Sequence, residues 1–160
     1  MSLLLLFLSA VTMGAPPQVE WELVSKVDPM TDELQARTTL TSTNGEGVLG
    51  IKCDEGKPGR LYIQLVSFKF LGEESSGETR VLTYRFDDSP AVNDTQWHYT
   101  SNSVYNFDND ATDSFVERIG QSKRLRVRAI TYEAYQNDWE FDLSEAPAAM
   151  AKIQSVCARK

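Results

Sequence analysis

The chain contains 160 residues, a length that suits one domain and allows a hydrophobic core without help from a metal or an oligomer. It carries 23 acidic and 16 basic residues, which gives a formal net charge of −7 at pH 7. This charge argues against a general nucleic-acid-binding protein, because contacts to phosphates need a basic surface. An acidic excess also keeps many small soluble proteins apart in solution.

Residues 1–14 are predicted to be a secretory signal peptide that is cleaved after Gly14. An apolar run at 3–8 is followed by small residues and then by Pro16 and Pro17. The run is too short to span a bilayer, which needs about 20 apolar residues. No Lys or Arg precedes it, which departs from the usual start of a signal peptide. We therefore expect residues 15–160 to form a single β-rich domain, periplasmic or secreted, without a membrane anchor after cleavage.

The first half of the mature chain is predicted to consist of strands joined by polar turns. The predicted strands cover residues 19–25, 37–43, 48–53 and 61–66. Turns are expected at 28–33, 44–47 and 54–59, and a polar loop at 72–77. The Asn44-Gly45 pair is the clearest of these signals, because both residues tolerate the positive φ of a tight hairpin.

The next strand, at residues 80–86, has the most informative pattern of the chain. Leu82, Tyr84 and Phe86 fall on one face by the period of two, whereas Arg85 falls on the other. The strand ends in Asp-Asp-Ser-Pro at 87–90, which favours a turn. One face is therefore expected in the core, and the other carries a charge that needs water or an acceptor.

The second half mixes strands with two helices. A loop is predicted at 88–95, strands at 96–100, 123–130 and 138–143, a helix at 110–120, and a final helix that opens with residues 144–147 and ends at Cys157. The last helix has an apolar stripe made of Ala149, Met150, Ile153, Val156 and Cys157. The predicted fold is mainly β, a β-rich α+β architecture. It is an antiparallel sandwich or open barrel with two helices in the second half, the last one C-terminal.

Cys53 and Cys157 are the two cysteines of the chain. Export together with an even cysteine count favours one disulfide between them. The loop that it closes would stabilise the fold by roughly 4–5 kcal/mol in the chain-entropy account. The alternative is a pair of buried free thiols.

No catalytic residues are predicted. His98 is the single histidine, so a Ser–His or Cys–His pair would have to use it. A disulfide would remove both cysteines from such a pair, and no Gly-x-Ser-x-Gly elbow is present. A histidine packed in the sheet or at its rim is the alternative.

Residues 106–117 are similar to an EF-hand calcium loop in their spaced oxygen donors. They depart from it at Asn106, which starts the stretch, and at Ala111, where the sharp turn needs glycine. The alternative is that Asp110 or Thr112 caps a helix. We predict no metal and no other cofactor.

Arginines form a row along the predicted strand at 123–130. Arg124, Arg126 and Arg128 alternate with apolar residues, so they share one face of the strand. Arg85 would lie on the same side of the sheet if its strand is a neighbour. Such a row could receive an anionic partner, because guanidinium binds carboxylate and phosphate through a planar fork. The alternative is a solvated face paired with neighbouring acids.

Several short stretches, in this order, resemble the VasI/TagO family of exported proteins associated with type VI secretion. They are Trp21, residues 51–53, 61–63, 83–88, Trp97, 125–128, 141–144 and the helix that ends in Cys157. The most specific are Tyr-Arg-Phe-Asp-Asp and Phe-Asp-Leu-Ser. The resemblance implies a non-enzymatic periplasmic accessory protein that supports the secretion apparatus through a protein partner in the cell envelope. The family has no set of catalytic residues that could be assigned to positions in this chain.

Two other functions stay open. One is an exported binding or inhibitor module of phage origin that recognises a protein or anionic ligand through the arginine-bearing sheet face. The other is an envelope hydrolase, which the missing nucleophile–base pair disfavours.

Overall fold

The computed structural model describes residues 20–53, 60–72, 80–106, 108–131 and 133–158. The predicted signal peptide and the turn at 54–59 lie outside these residues, as does most of the loop at 72–77. None of the helices within these ranges is long and apolar enough to cross a membrane.

The described residues form two antiparallel sheets and two helices. The strands are β1 Glu22–Val27, β2 Leu34–Thr41, β3 Gly47–Cys53, β4 Leu61–Ser67, β5 Leu82–Phe86, β6 Val92–Asp94, β7 His98–Tyr99, β8 Ser103–Asn106, β9 Arg124–Ile130 and β10 Gln136–Asp142; the helices are α1 Asn109–Gln121 and α2 Ala146–Cys157. Sheet I has the strand order β1-β2-β3-β4-β8-β7, and sheet II has the order β10-β9-β5-β6. The predicted β-rich α+β class is confirmed, in the form of a sandwich and not of a closed barrel.

The core lies where the inward faces of the sheets meet the helices. In β3 and β4, alternate residues such as Leu49, Ile51 and Ile63 are fully buried. Helix α1 brings Phe115 against Tyr84 and Phe86, with both pairs of ring centroids 5.0 Å apart in edge-to-face geometry. Such pairs add to the stabilisation that comes from burying apolar area.

Helix α2 packs its apolar stripe on helix α1 and on β2 and β3 of sheet I. Ala149, Met150 and Ile153 are buried, with Met150 beside Gly120 of α1, whereas Val156 at the margin of the stripe is half-buried. The helix ends at Cys157, which forms a disulfide with Cys53 at the end of β3 across 104 positions of sequence. The predicted disulfide is therefore confirmed, and the alternative of two free thiols is wrong. A disulfide is typical of proteins from oxidising compartments.

The turn between β2 and β3 joins sheet I to the edge strand of sheet II. Thr43 N donates to Glu140 O at 2.7 Å, and Asn44 Nδ2 donates to Asp138 O at 3.0 Å. The predicted hairpin is confirmed, with Gly45 at φ 69°. Gly47 begins β3 directly beneath the buried Trp139 ring, where a Cβ atom would lie 2.8 Å from ring atoms.

Other elements differ from the predictions. Strand β6 lies inside the predicted loop at 88–95, and β8 was not predicted, because strands of three and four residues depend on their partner strands. Strand β1 begins three residues later than expected and is exposed throughout. The cap of α1 is Asp108, whose Oδ1 accepts from Ala111 N at 2.9 Å, and not Asp110 or Thr112. Thr112 is instead buried inside the helix.

Replacing both cysteines by alanine should lower the free energy of unfolding by about 2–5 kcal/mol, because the unfolded chain loses a long covalent loop. Denaturant titration of the variant and of the wild type measures the difference. Wild-type protein treated with a reductant serves as the control and should match the variant. Two free thiols in intact-mass analysis of the unreduced protein would contradict the pairing.

Gly47→Ala should lower the free energy of unfolding by about 1–3 kcal/mol, because the new methyl group meets the Trp139 ring in a filled core. Gly50→Ala is the matched control in the same strand, since its Cβ would stand 3.5 Å from the nearest atom, an ordinary contact. Thermal denaturation compares the two. Equal stability of the two variants would mean that the Trp139 contact does not constrain the hairpin.

Candidate functional site

Pairing between the strands of sheet II brings the predicted arginines to one outward face. Arg85 of β5 lies opposite Arg126 of β9, and Arg126 lies opposite Glu140 of β10. In the next row, Arg128 stands between Thr83 and Asp138. The residues between them along each strand point into the core, so the arginines must point outward. Arg85 and Arg126 thus share one side of the sheet, as the strand patterns predict for neighbouring strands.

The Asp-Asp turn after β5 sets this register. Asp87 adopts a φ of 48°, and its backbone N donates to Arg124 O at 2.9 Å. Its Oδ1 accepts from the backbone nitrogens of Lys123 and Arg124 at 3.0 and 2.9 Å. Asp87 therefore holds the start of β9 against the end of β5, which gives the Tyr-Arg-Phe-Asp-Asp stretch a structural role.

All three arginines of the predicted row have acidic partners. Arg126 Nε donates to Glu140 Oε2 at 2.6 Å, and Arg124 Nη2 donates to Asp88 Oδ1 at 3.1 Å. Arg128 and Asp138 form a bidentate pair with both distances at 2.7 Å. For these three residues, the structure therefore agrees with the alternative given above, a solvated face on which arginines pair with neighbouring acidic residues.

The bidentate pair also shifts the pKa values of both its members. Hydrogen bonding to Arg128 lowers the pKa of Asp138, since it stabilises the carboxylate form. The same bond raises the pKa of Arg128. Asp138 is thus held as an anion at neutral pH and is a poor source of a proton.

Arg85 differs from the other arginines of this face. It is half-buried, and no carboxylate of the described residues lies within ion-pairing distance of it. Its Nε atom is buried and has no hydrogen-bond acceptor within the same part of the chain, a feature that it shares with Arg124, whose Nη2 is however paired with Asp88. Its neighbour across the strands is Arg126, another cation. Arg85 is therefore a partly desolvated cation whose Nε has no acceptor among the described residues.

Arg85 lines a groove of about 560 Å³ on this face, which we call the arginine groove. The β2–β3 turn, with Thr43 and Asn44, borders one end, and Ala91 borders the other. Its side-chain charges come from three arginines and two carboxylates: Arg85, Arg126, Arg128, Asp138 and Glu140. The sequence predicted the arginines but missed Thr43 and Asn44, because their approach to β10 depends on contacts between distant segments.

The other candidate residues lie elsewhere. His98 is exposed in β7, opposite Tyr105 in the strand register, and lies outside the groove. The stretch similar to an EF-hand is largely helix α1, which begins at Asn109. Within the described ranges, no group of three or more His, Cys, Asp or Glu side chains is placed to hold a metal ion.

The chain matches no family model, no curated protein and no solved structure. The resemblance to the VasI/TagO family therefore stays a prediction from the short sequence stretches.

Proposed function

We propose that this protein is a non-enzymatic exported module that binds an anionic group of an envelope partner in the arginine groove. The observation that carries the proposal is Arg85, a half-buried guanidinium without a carboxylate partner among the described residues. A carboxylate or phosphate that bound there would accept hydrogen bonds from the guanidinium.

The surroundings of Arg85 favour such a ligand on electrostatic grounds. Arg126 stands directly across from Arg85, so an anion in the groove would offset the repulsion between the two cations. Partial burial weakens the screening by water and strengthens the attraction. A protein with net charge −7 does not need a local cation for solubility, which makes a recognition role the better account of Arg85.

A binding role also suits the carboxylates of the groove better than a catalytic one. Asp138 and Glu140 both accept short hydrogen bonds from arginines. A general acid needs a carboxyl group that stays protonated near the working pH, whereas hydrogen bonding to Arg128 lowers the pKa of Asp138.

The cellular setting of the proposal comes from the sequence. An exported protein would acquire the Cys53–Cys157 disulfide in the periplasm. The resemblance to VasI/TagO proteins suggests an accessory role in type VI secretion, in which an envelope component supplies the anionic group. Secretion-sheath genes beside this gene would support that role, and prophage genes would support a phage-derived inhibitor module instead.

Arg85→Gln should weaken the binding of inorganic phosphate at low ionic strength at least about tenfold, since hydrogen bonds to charged groups contribute about 1.5–3 kcal/mol each. An NMR titration that follows the arginine Nε–H signals measures this binding and identifies the residue involved. Raising the salt concentration should weaken the binding of the wild type. Arg126→Glu is a less clear test, because it would also place a second carboxylate beside Glu140.

Arg37→Gln is the matched control, because Arg37 is an exposed arginine in β2 of the other sheet. It should bind phosphate as the wild type does. The melting temperature of Arg85→Gln should be unchanged or slightly higher, because the variant loses no ion pair with a described residue and relieves repulsion with Arg126. An Arg85→Gln variant that binds normally would refute the proposal, and one that unfolds readily would show a structural role instead.

A further inference from the structure

A second groove lies between helix α2 and the β1–β2 edge of sheet I. It has a volume of about 350 Å³, within the range of small-ligand sites. Its apolar walls are formed by Leu23 on one side and by Ala148 and Ala149 on the other. None of its lining residues belongs to the arginine groove, so a ligand bound here would be independent of the proposed function.

Two of the lining residues carry a buried hydrogen-bonding atom that has no partner among the described residues. The atoms are the indole Nε1 of Trp21 and the hydroxyl Oγ1 of Thr38. Thr38 is 1% exposed, and Leu23 of β1 lies opposite it in the register. Polar groups buried in this way normally have an acceptor or donor within reach, because an unmade hydrogen bond destabilises the fold. An indole N–H only donates, so a ligand must offer an acceptor to satisfy it.

The charges of the groove limit which acceptor fits. Among the described residues, Glu20 and Glu145 line it together with a single cation, Lys152. Glu145 occupies the N-cap position of α2, where its side chain makes no capping hydrogen bond. An excess of carboxylates disfavours an anionic ligand, and both can accept hydrogen bonds from N–H groups. The acceptor is therefore better supplied by a neutral carbonyl.

We propose that this groove binds a neutral primary or secondary amide carried on a small apolar body, the chemistry of a single peptide residue. The carbonyl oxygen accepts from Trp21 Nε1 and Thr38 Oγ1, and the amide N–H donates to a carboxylate at the rim. The apolar body packs against Leu23 and Ala149. Both donor atoms are nearly inaccessible to water, so binding requires the side chains of Trp21 and Thr38 both to turn toward the groove.

Isovaleramide and isovalerate test this assignment, since they have almost the same shape and differ in charge. The chain has three tryptophans, so its NMR spectrum has three indole N–H signals, of which Trp21→Phe identifies one. The Trp21 signal should shift saturably with isovaleramide, and isovalerate should bind at least about fivefold more weakly. Trp97, whose Nε1 already donates to Asp94 at 3.0 Å, is the internal control and should not shift.

Thr38→Val separates a ligand contact from a structural one. It should weaken isovaleramide binding about 3- to 10-fold, as expected for one lost hydrogen bond, without lowering the melting temperature. A destabilised Thr38→Val protein would mean that the hydroxyl has a structural partner, and would overturn the proposal. A Trp21 signal that does not respond to isovaleramide would also overturn it, as would tighter binding of isovalerate.

Discussion

The contact between the β2–β3 turn and β10 is the constraint on which the rest of this structure depends. It joins sheet I to sheet II through the bonds of Thr43 and Asn44 to the β10 backbone, and through Trp139 packed over Gly47. The Ser42 hydroxyl holds the turn itself, since it accepts from Glu46 N and Gly47 N at 3.1 and 3.0 Å. The same turn borders the arginine groove, so the geometry of the groove depends on how the two sheets are joined.

The disulfide acts on sheet I from the other end of β3. Gly47 begins that strand under Trp139, and Cys53 ends it in the bond to the last residue of α2. Between these points, β3 is buried at alternate residues on the face that α2 covers. One strand therefore receives a packing constraint at its start and a covalent one at its end. The disulfide holds α2 on sheet I, and the Trp139–Gly47 contact holds sheet II against sheet I.

Sequence patterns predicted the features that depend on one segment at a time. The period of two placed Phe86 inward and Arg85 outward, and an apolar stripe placed Ile153 of α2 in the core, because each pattern reflects local geometry. Register is different, since it depends on two strands at once. The pairing of Arg126 with Glu140 and the absence of such a partner for Arg85 among the described residues result from the alignment of β5, β9 and β10, which no single segment encodes. Strands β6 and β8 were missed for the same reason.

The charge pattern of the arginine groove argues for a ligand with one compact anionic group. Arg126 and Arg128 are each neutralised by a neighbouring carboxylate, so Arg85 alone gives the lining side chains their net charge of +1. Exposed pairs of this kind stabilise a fold by about 1 kcal/mol or less, so stability alone does not account for the arrangement. Because the Arg126–Glu140 and Arg128–Asp138 pairs are neutral, the net positive charge of the groove is concentrated at Arg85. A polyanion such as nucleic acid gains affinity from many cations along its backbone, whereas only one of the three arginines that line this groove has no carboxylate partner among the described residues. A single carboxylate or phosphate needs only one fork-shaped donor at the right depth, which the half-buried Arg85 provides.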